Sequence, residues 1–183
     1  MSGDGRGAAE AARQPAEQPG GRPAEQFAAL MGEVMAAAER FGHRQHVHLT
    51  WLAVRRHGTA TAVELVGDGI RRTARAAGAP EKYHVTMTRA WVELVGHHAG
   101  RAGSGFDGGA GFDAFTDFDA VADFGTFADR HPELLDKALL SRFYRDATLA
   151  SAEARAGWVE PDLSPFPWQR AEGQGLSCGS GRG

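Results

Sequence analysis

Apolar residues first recur at helical spacing at Phe27, Leu30, Met31, Val34, Met35 and Ala38, which predicts an amphipathic helix over about 24–40. HRQHVHLTWLAVRRHG, residues 43–58, predicts a second helix that closes at Gly58. Thr61 and Glu64 then spell a capping box, T-A-V-E, for a third helix. That helix carries Val63, Val66 and Ile70 on one stripe and stops near Gly78–Pro80. Tyr83 to about Gly96 reads as a fourth helix with Met87, Trp91, Leu94 and Val95 as its apolar face. Pro132 suits the first turn of a helix over about 132–145, and residues 147–156 suit a short last one. WVEPDLSPFPW, residues 158–168, combines apolar anchors with three prolines and predicts an extended strap across the bundle. The pattern is all-α: a compact bundle of about five to six helices with a Pro-rich C-terminal strap.

Residues 106–129 interrupt it with a hexad repeat, FDGGAG-FDAFTD-FDAVAD-FGTFAD. A period of six fits neither the 3.6-residue helix nor a common solenoid, so 103–125 reads as a low-complexity insertion, first a loop and then helix. Its Asp residues lack the D-x-D-x-D-G frame and terminal Glu of an EF-hand, which disfavours calcium. Residues 1–23 and 169–183 are rich in Gly, Ala, Pro and charge and are expected to be disordered tails around one domain at 24–168.

Composition narrows the class. The net charge of −3 gives no general attraction to nucleic acid or to anionic membranes. Arg55, Arg56, Arg71, Arg72, Arg75 and Arg89 do line one side of helices two to four, so a non-catalytic helix-turn-helix regulator stays open as an alternative. The single Cys178 excludes an internal disulfide framework and a Cys-based zinc site. The N-terminal residues lack the apolar core of a signal peptide, and no apolar run reaches 18 residues, so a cytoplasmic protein without a membrane span is expected.

The candidate chemistry is histidine. On a helix His43 and His46 share a face while His48 points away; in an extended segment His46 and His48 would pair instead. A further partner has to come from elsewhere, and His84 is the candidate, because Thr88, Trp91 and Val95 follow it on the apolar stripe. Three readings fit: capping or surface histidines; imidazoles relaying protons near neutral pH; or His43, His46 and His84 holding a divalent transition metal. No H-E-x-x-H, H-x-x-E-H or HD pair supplies a carboxylate at ligand spacing. His57, His97, His98 and His131 fall at predicted helix ends and read as structural. Glu93 follows Arg89 by four residues and has a surface ion pair as its ordinary role. The step from His84 to Glu93 turns the helix half a revolution past two turns, so the two cannot meet on one regular helix. They could face one pocket only if His84 sits before the helix proper, or if a neighbouring subunit of a homodimer contributes.

F-G-H-R-Q-H-V-H-L-T-W (41–51) and K-Y-H-V-T (82–86), with L-L-S-R-F-Y (139–144) and P-D-L-S-P-F-P (161–167), are similar to a family of small, mostly uncharacterised bacterial proteins. The family pattern is F-x-H-x-x-H-V, a Trp shortly after, and a downstream Y-H-E-T. His43, His46, Trp51, Tyr83, His84 and Thr86 match it, and Val85 replaces its glutamate. The chain also faintly resembles the bacterial Pictet–Spengler cyclases of alkaloid biosynthesis, which rely on an Arg, a His and a Glu without a cofactor. Arg72, His84 and Glu93 occur here in that order.

These residues lead to one expectation: a cofactor-free, cyclase- or lyase-type enzyme of bacterial specialised metabolism. It would condense or cyclise a small-molecule substrate, an aromatic amine or amino acid with an aldehyde. His84 and His46 would carry protons, Glu93 would act as a base, Arg72 would anchor a carboxylate, and Trp51, Trp91 and Tyr83 would wall the substrate.

Overall fold

The computed structural model describes residues 22–36, 38–101 and 123–172. Residues 1–21 and 173–183 of the expected tails, and 103–122 of the expected insertion, lie outside the described residues. No strand occurs among the described residues, and no helix there is long and apolar enough to cross a membrane. The all-α architecture predicted from periodicity is the one observed.

Helix α1, Pro23–Met35, starts with proline in its first turn and buries Phe27, Leu30 and Val34. It ends five residues before the predicted limit of 40. Helix α2, His43–Ala76, merges the predicted second and third helices. Its one non-helical residue is Gly58, at φ 76° and ψ 162°, a conformation that side chains with a Cβ rarely adopt. His46, Val47, Val66 and Ile70 nevertheless line one cavity. On a straight helix Val47 and Val66 would stand about 28 Å apart, so α2 folds back on itself at Gly58. We call residues 43–57 its first arm and 59–76 its second. Helix resumes directly after Gly58, which leaves Thr61 and Glu64 inside the second arm and not in a capping box.

Helix α3, Val85–Arg101, packs along α2, and α1 packs on α2 as well. Two glycines allow these approaches. A methyl on Gly69 would collide with the Phe27 ring, and one on Gly96 would collide with Thr59. The core joins Leu30, Leu49, Leu65, Val92 and Leu94 into one cluster with Phe127 and Phe166. Phe127 belongs to helix α4, Phe124–Arg130, whose N-terminus is capped by Asp123 accepting from the Thr126 N–H at 2.9 Å. The last hexad of the repeat is therefore helical and buried, with Phe124 and Phe127 against Trp51.

The predicted helix over 132–145 is replaced by two 3₁₀ turns, Pro132–Leu135 and Leu139–Arg142. Between them the Asp136 carboxylate accepts from the Ala138 N–H at 2.9 Å, a local bond that competes with helix continuation. The predicted last helix divides into α5, Asp146–Ala150, and α6, Ala152–Ala156. It divides at Ser151, whose extended backbone and hydroxyl cap α6 by accepting from Ala154 N–H. The strap forms as predicted. Thr86 donates to the Gly157 carbonyl at 2.6 Å and accepts from Val159 N–H, Tyr144 donates to the Val159 carbonyl, and the buried Phe166 stacks on Trp168. Helix α7, Pro167–Glu172, runs across the boundary expected at 168.

Candidate functional site

The bend at Gly58 brings the two arms of α2 opposite α3 around a cavity of about 200 Å³. Val66, Ile70, Met87 and Val95 give it an apolar wall, and Trp91 closes one side. Thr50, Thr88 and the exposed Lys82 add polar groups, and His43, His46 and His84 all line it. Four residues singled out in the sequence, His43, His46, His84 and Trp91, thus converge. The 3.6-residue period that pairs His43 with His46 also sends His48 away, where it stacks on Phe124 at 4.2 Å.

The three cavity histidines differ in what their nitrogens do. His43 uses Nε2–H to donate to the Leu134 carbonyl at 3.0 Å, and its ring meets Trp91 edge-on at 4.7 Å. His46 uses Nδ1–H to donate to the Gly42 carbonyl at 3.2 Å and packs edge-on against Phe41. A carbonyl only accepts, so each bond fixes the tautomer and leaves the second nitrogen as an unprotonated acceptor. Among the described residues every fully buried side-chain nitrogen or oxygen has a hydrogen-bond partner. The second nitrogens of His43 and His46 form no such bond, so both are reachable by solvent. Burial holds both rings below the ordinary histidine pKa of 6.5, partly offset by the two carbonyls.

His84 has no nitrogen left over. Its Nε2–H donates to the Leu149 carbonyl at 2.8 Å, and its Nδ1 accepts from the Met87 N–H at 3.2 Å. The ring caps the first turn of α3 and ties it to α5, and only 7% of the residue is exposed.

The other expected site residues lie outside this cavity. Glu93 bonds Arg89 at 2.6 Å and lines an open groove of about 580 Å³ with Thr59, His97 and Trp168. Arg72 is exposed on the second arm. Trp51 is buried against Phe127 with the Arg55 guanidinium 4.7 Å above its ring. Tyr83 is half-buried, its hydroxyl against Gly67, and burial raises its pKa. His84 does stand just before α3, yet it and Glu93 line different pockets.

The metal trio His43, His46 and His84 does not assemble. Among the described residues, the group of three whose ligand atoms lie within 4.8 Å of one another is His98, His131 and Glu133. Sequence reasoning assigned those histidines to helix capping. The signal was weak: His131 and Glu133 flank Pro132, but His98 comes from a distant helix.

Comparison of the chain with protein-family models, with curated proteins and with solved structures finds no match.

Proposed function

We propose that this chain is a small-molecule enzyme in which His46 and His43 perform acid–base chemistry on a compact aromatic amine or amino acid held between α2 and α3. One observation carries the reading: each ring lines the cavity and is fixed there by one nitrogen on a backbone carbonyl, which leaves its other nitrogen as an acceptor. Burial keeps both rings neutral near pH 7, so each is ready to accept a proton. Trp91, Val66 and Ile70 suit an aromatic ring, and Lys82 suits a carboxylate. In a Pictet–Spengler-type condensation the protonated amine and the aldehyde lose water to form an iminium. The aromatic ring then attacks the iminium carbon, and the ring proton passes to His46 Nε2. Arg72 and Glu93 lie outside the cavity, so proton transfer here belongs to the two α2 histidines and His84 is a positioning residue.

Calorimetric titration of the full chain with indole and with tryptamine tests this. Saturable binding to the wild type is expected, weakened about tenfold by His46→Gln, the loss of one hydrogen bond worth ~1.4 kcal/mol. Absence of binding by both probes, or binding indifferent to His46→Gln, overturns the proposal.

A further inference from the structure

At the other end of α3, three side chains meet from different parts of the chain. His98 comes from α3, His131 closes α4, and Glu133 sits in the 3₁₀ turn that follows. Glu133 Oε1 lies 3.4 Å from His131 Nδ1 and 3.7 Å from His98 Nδ1. The two imidazole centroids are 4.6 Å apart. A charge-assisted N–H···O bond would draw nitrogen and oxygen to about 2.7–2.9 Å. Two ligands on a tetrahedral ion with bonds near 2.05 Å stand about 3.3 Å apart. The observed separations match the second geometry better than the first.

We infer that His98, His131 and Glu133 form a binding site for a divalent transition metal of the zinc class. Two imidazoles and one carboxylate are a ligand set this class accepts, with no thiolate needed. The side chains are 21%, 22% and 34% exposed, so an ion reaches them from solvent without unfolding. Three protein ligands leave a fourth position for water or an anion. The backbone holds two of them in register: the His131 carbonyl accepts from Leu134 N–H at 3.0 Å, and Pro132 fixes the first residue of the turn. The ion would link α3 to the α4 turn, two segments joined in sequence only through 102–123.

The test is zinc titration of the full, untagged chain, with cobalt(II) as a visible probe. One equivalent of zinc should bind and raise the melting temperature, and cobalt should give the intense visible bands of a low-coordinate site. Glu133→Gln, which keeps size and exposure, and His131→Gln should each weaken zinc binding at least tenfold while leaving the metal-free melting temperature near wild type. Cys178→Ser and His46→Gln should leave zinc binding unchanged. Absence of stoichiometric binding overturns the inference. So does zinc binding that survives both Glu133→Gln and His131→Gln, or that is lost in Cys178→Ser or His46→Gln.

Discussion

The α2–α3 cavity and the His98–His131–Glu133 rim are both built from imidazoles, yet they use them in opposite ways. In the cavity each ring is anchored on a main-chain carbonyl and sits among Val, Ile, Met and Trp, and burial holds the pKa of His43 and His46 below the ordinary value. At the rim two rings face a carboxylate, partly open to water. Carbonyl anchoring fixes a tautomer and an orientation, which suits proton transfer or a structural cap. A shared carboxylate brings negative charge to a point between two rings, which suits a cation. The chemistry of a histidine cluster is set by what the second nitrogen meets.

The largest expected effect separates the two regions by stability. His84→Ala removes one acceptor and one donor at once, orphaning the Leu149 carbonyl and the Met87 N–H in a nearly closed site. The cost should be about 2–4 kcal/mol, a fall of roughly 5–15 °C in melting temperature. Glu133→Gln at the partly open rim, which keeps the size of the side chain, should cost under about 1 kcal/mol without metal. Equal losses by thermal unfolding would erase the contrast.

Acid should sharpen it next. His43 and His46 have folded pKa values below the ordinary 6.5, so between the folded and unfolded values the unfolded chain binds more protons. Stability is therefore at its plateau above about pH 6.5 and falls as the pH drops toward the folded pKa values. His46→Gln removes one of the titrating groups, and its melting temperature should decline less steeply between about pH 7 and pH 5.5. A wild type and variant with the same slope would mean His46 is not held neutral by burial.

The cavity was more legible in the sequence than the rim, and the reason is range. His43 with His46, and His84 with Trp91, are separated by three and seven residues, so one helical period predicts which faces they share. Gly58 marked the end of a helix correctly; its positive φ, which folds one arm back on the other, has no periodic signature. The commitment of both His84 nitrogens was also hidden, because Leu149 reaches it from a segment without a motif. Asp136 and Ser151 broke predicted helices by local side-chain bonds, an effect their propensities hint at and apolar spacing ignores. His98 and Glu133 meet only through tertiary packing. The hexad repeat misled in one respect: its final unit looks like the others, but Phe124 and Phe127 bury against Trp51 as core.

The smallest effect asks whether the two regions communicate. Glu133 and Leu134 are neighbours in one 3₁₀ turn; the first faces the rim, and the carbonyl of the second holds His43. A metal that draws Glu133 toward His98 and His131 would shift that turn, and the Leu134 carbonyl would move with it. The His43 Nε2–H bond, at 3.0 Å, is long enough to respond in either direction. His84 is anchored on Leu149 and His46 on Gly42, so neither depends on that turn. Zinc added to the full chain should therefore shift the His43 imidazole resonances in a nitrogen-edited NMR spectrum and leave those of His46 and His84 in place. Glu133→Gln should abolish the shift. A His131 signal that moves on metal binding while His43 stays still would show that the turn bends between residues 133 and 134, and that the rim and the cavity act separately.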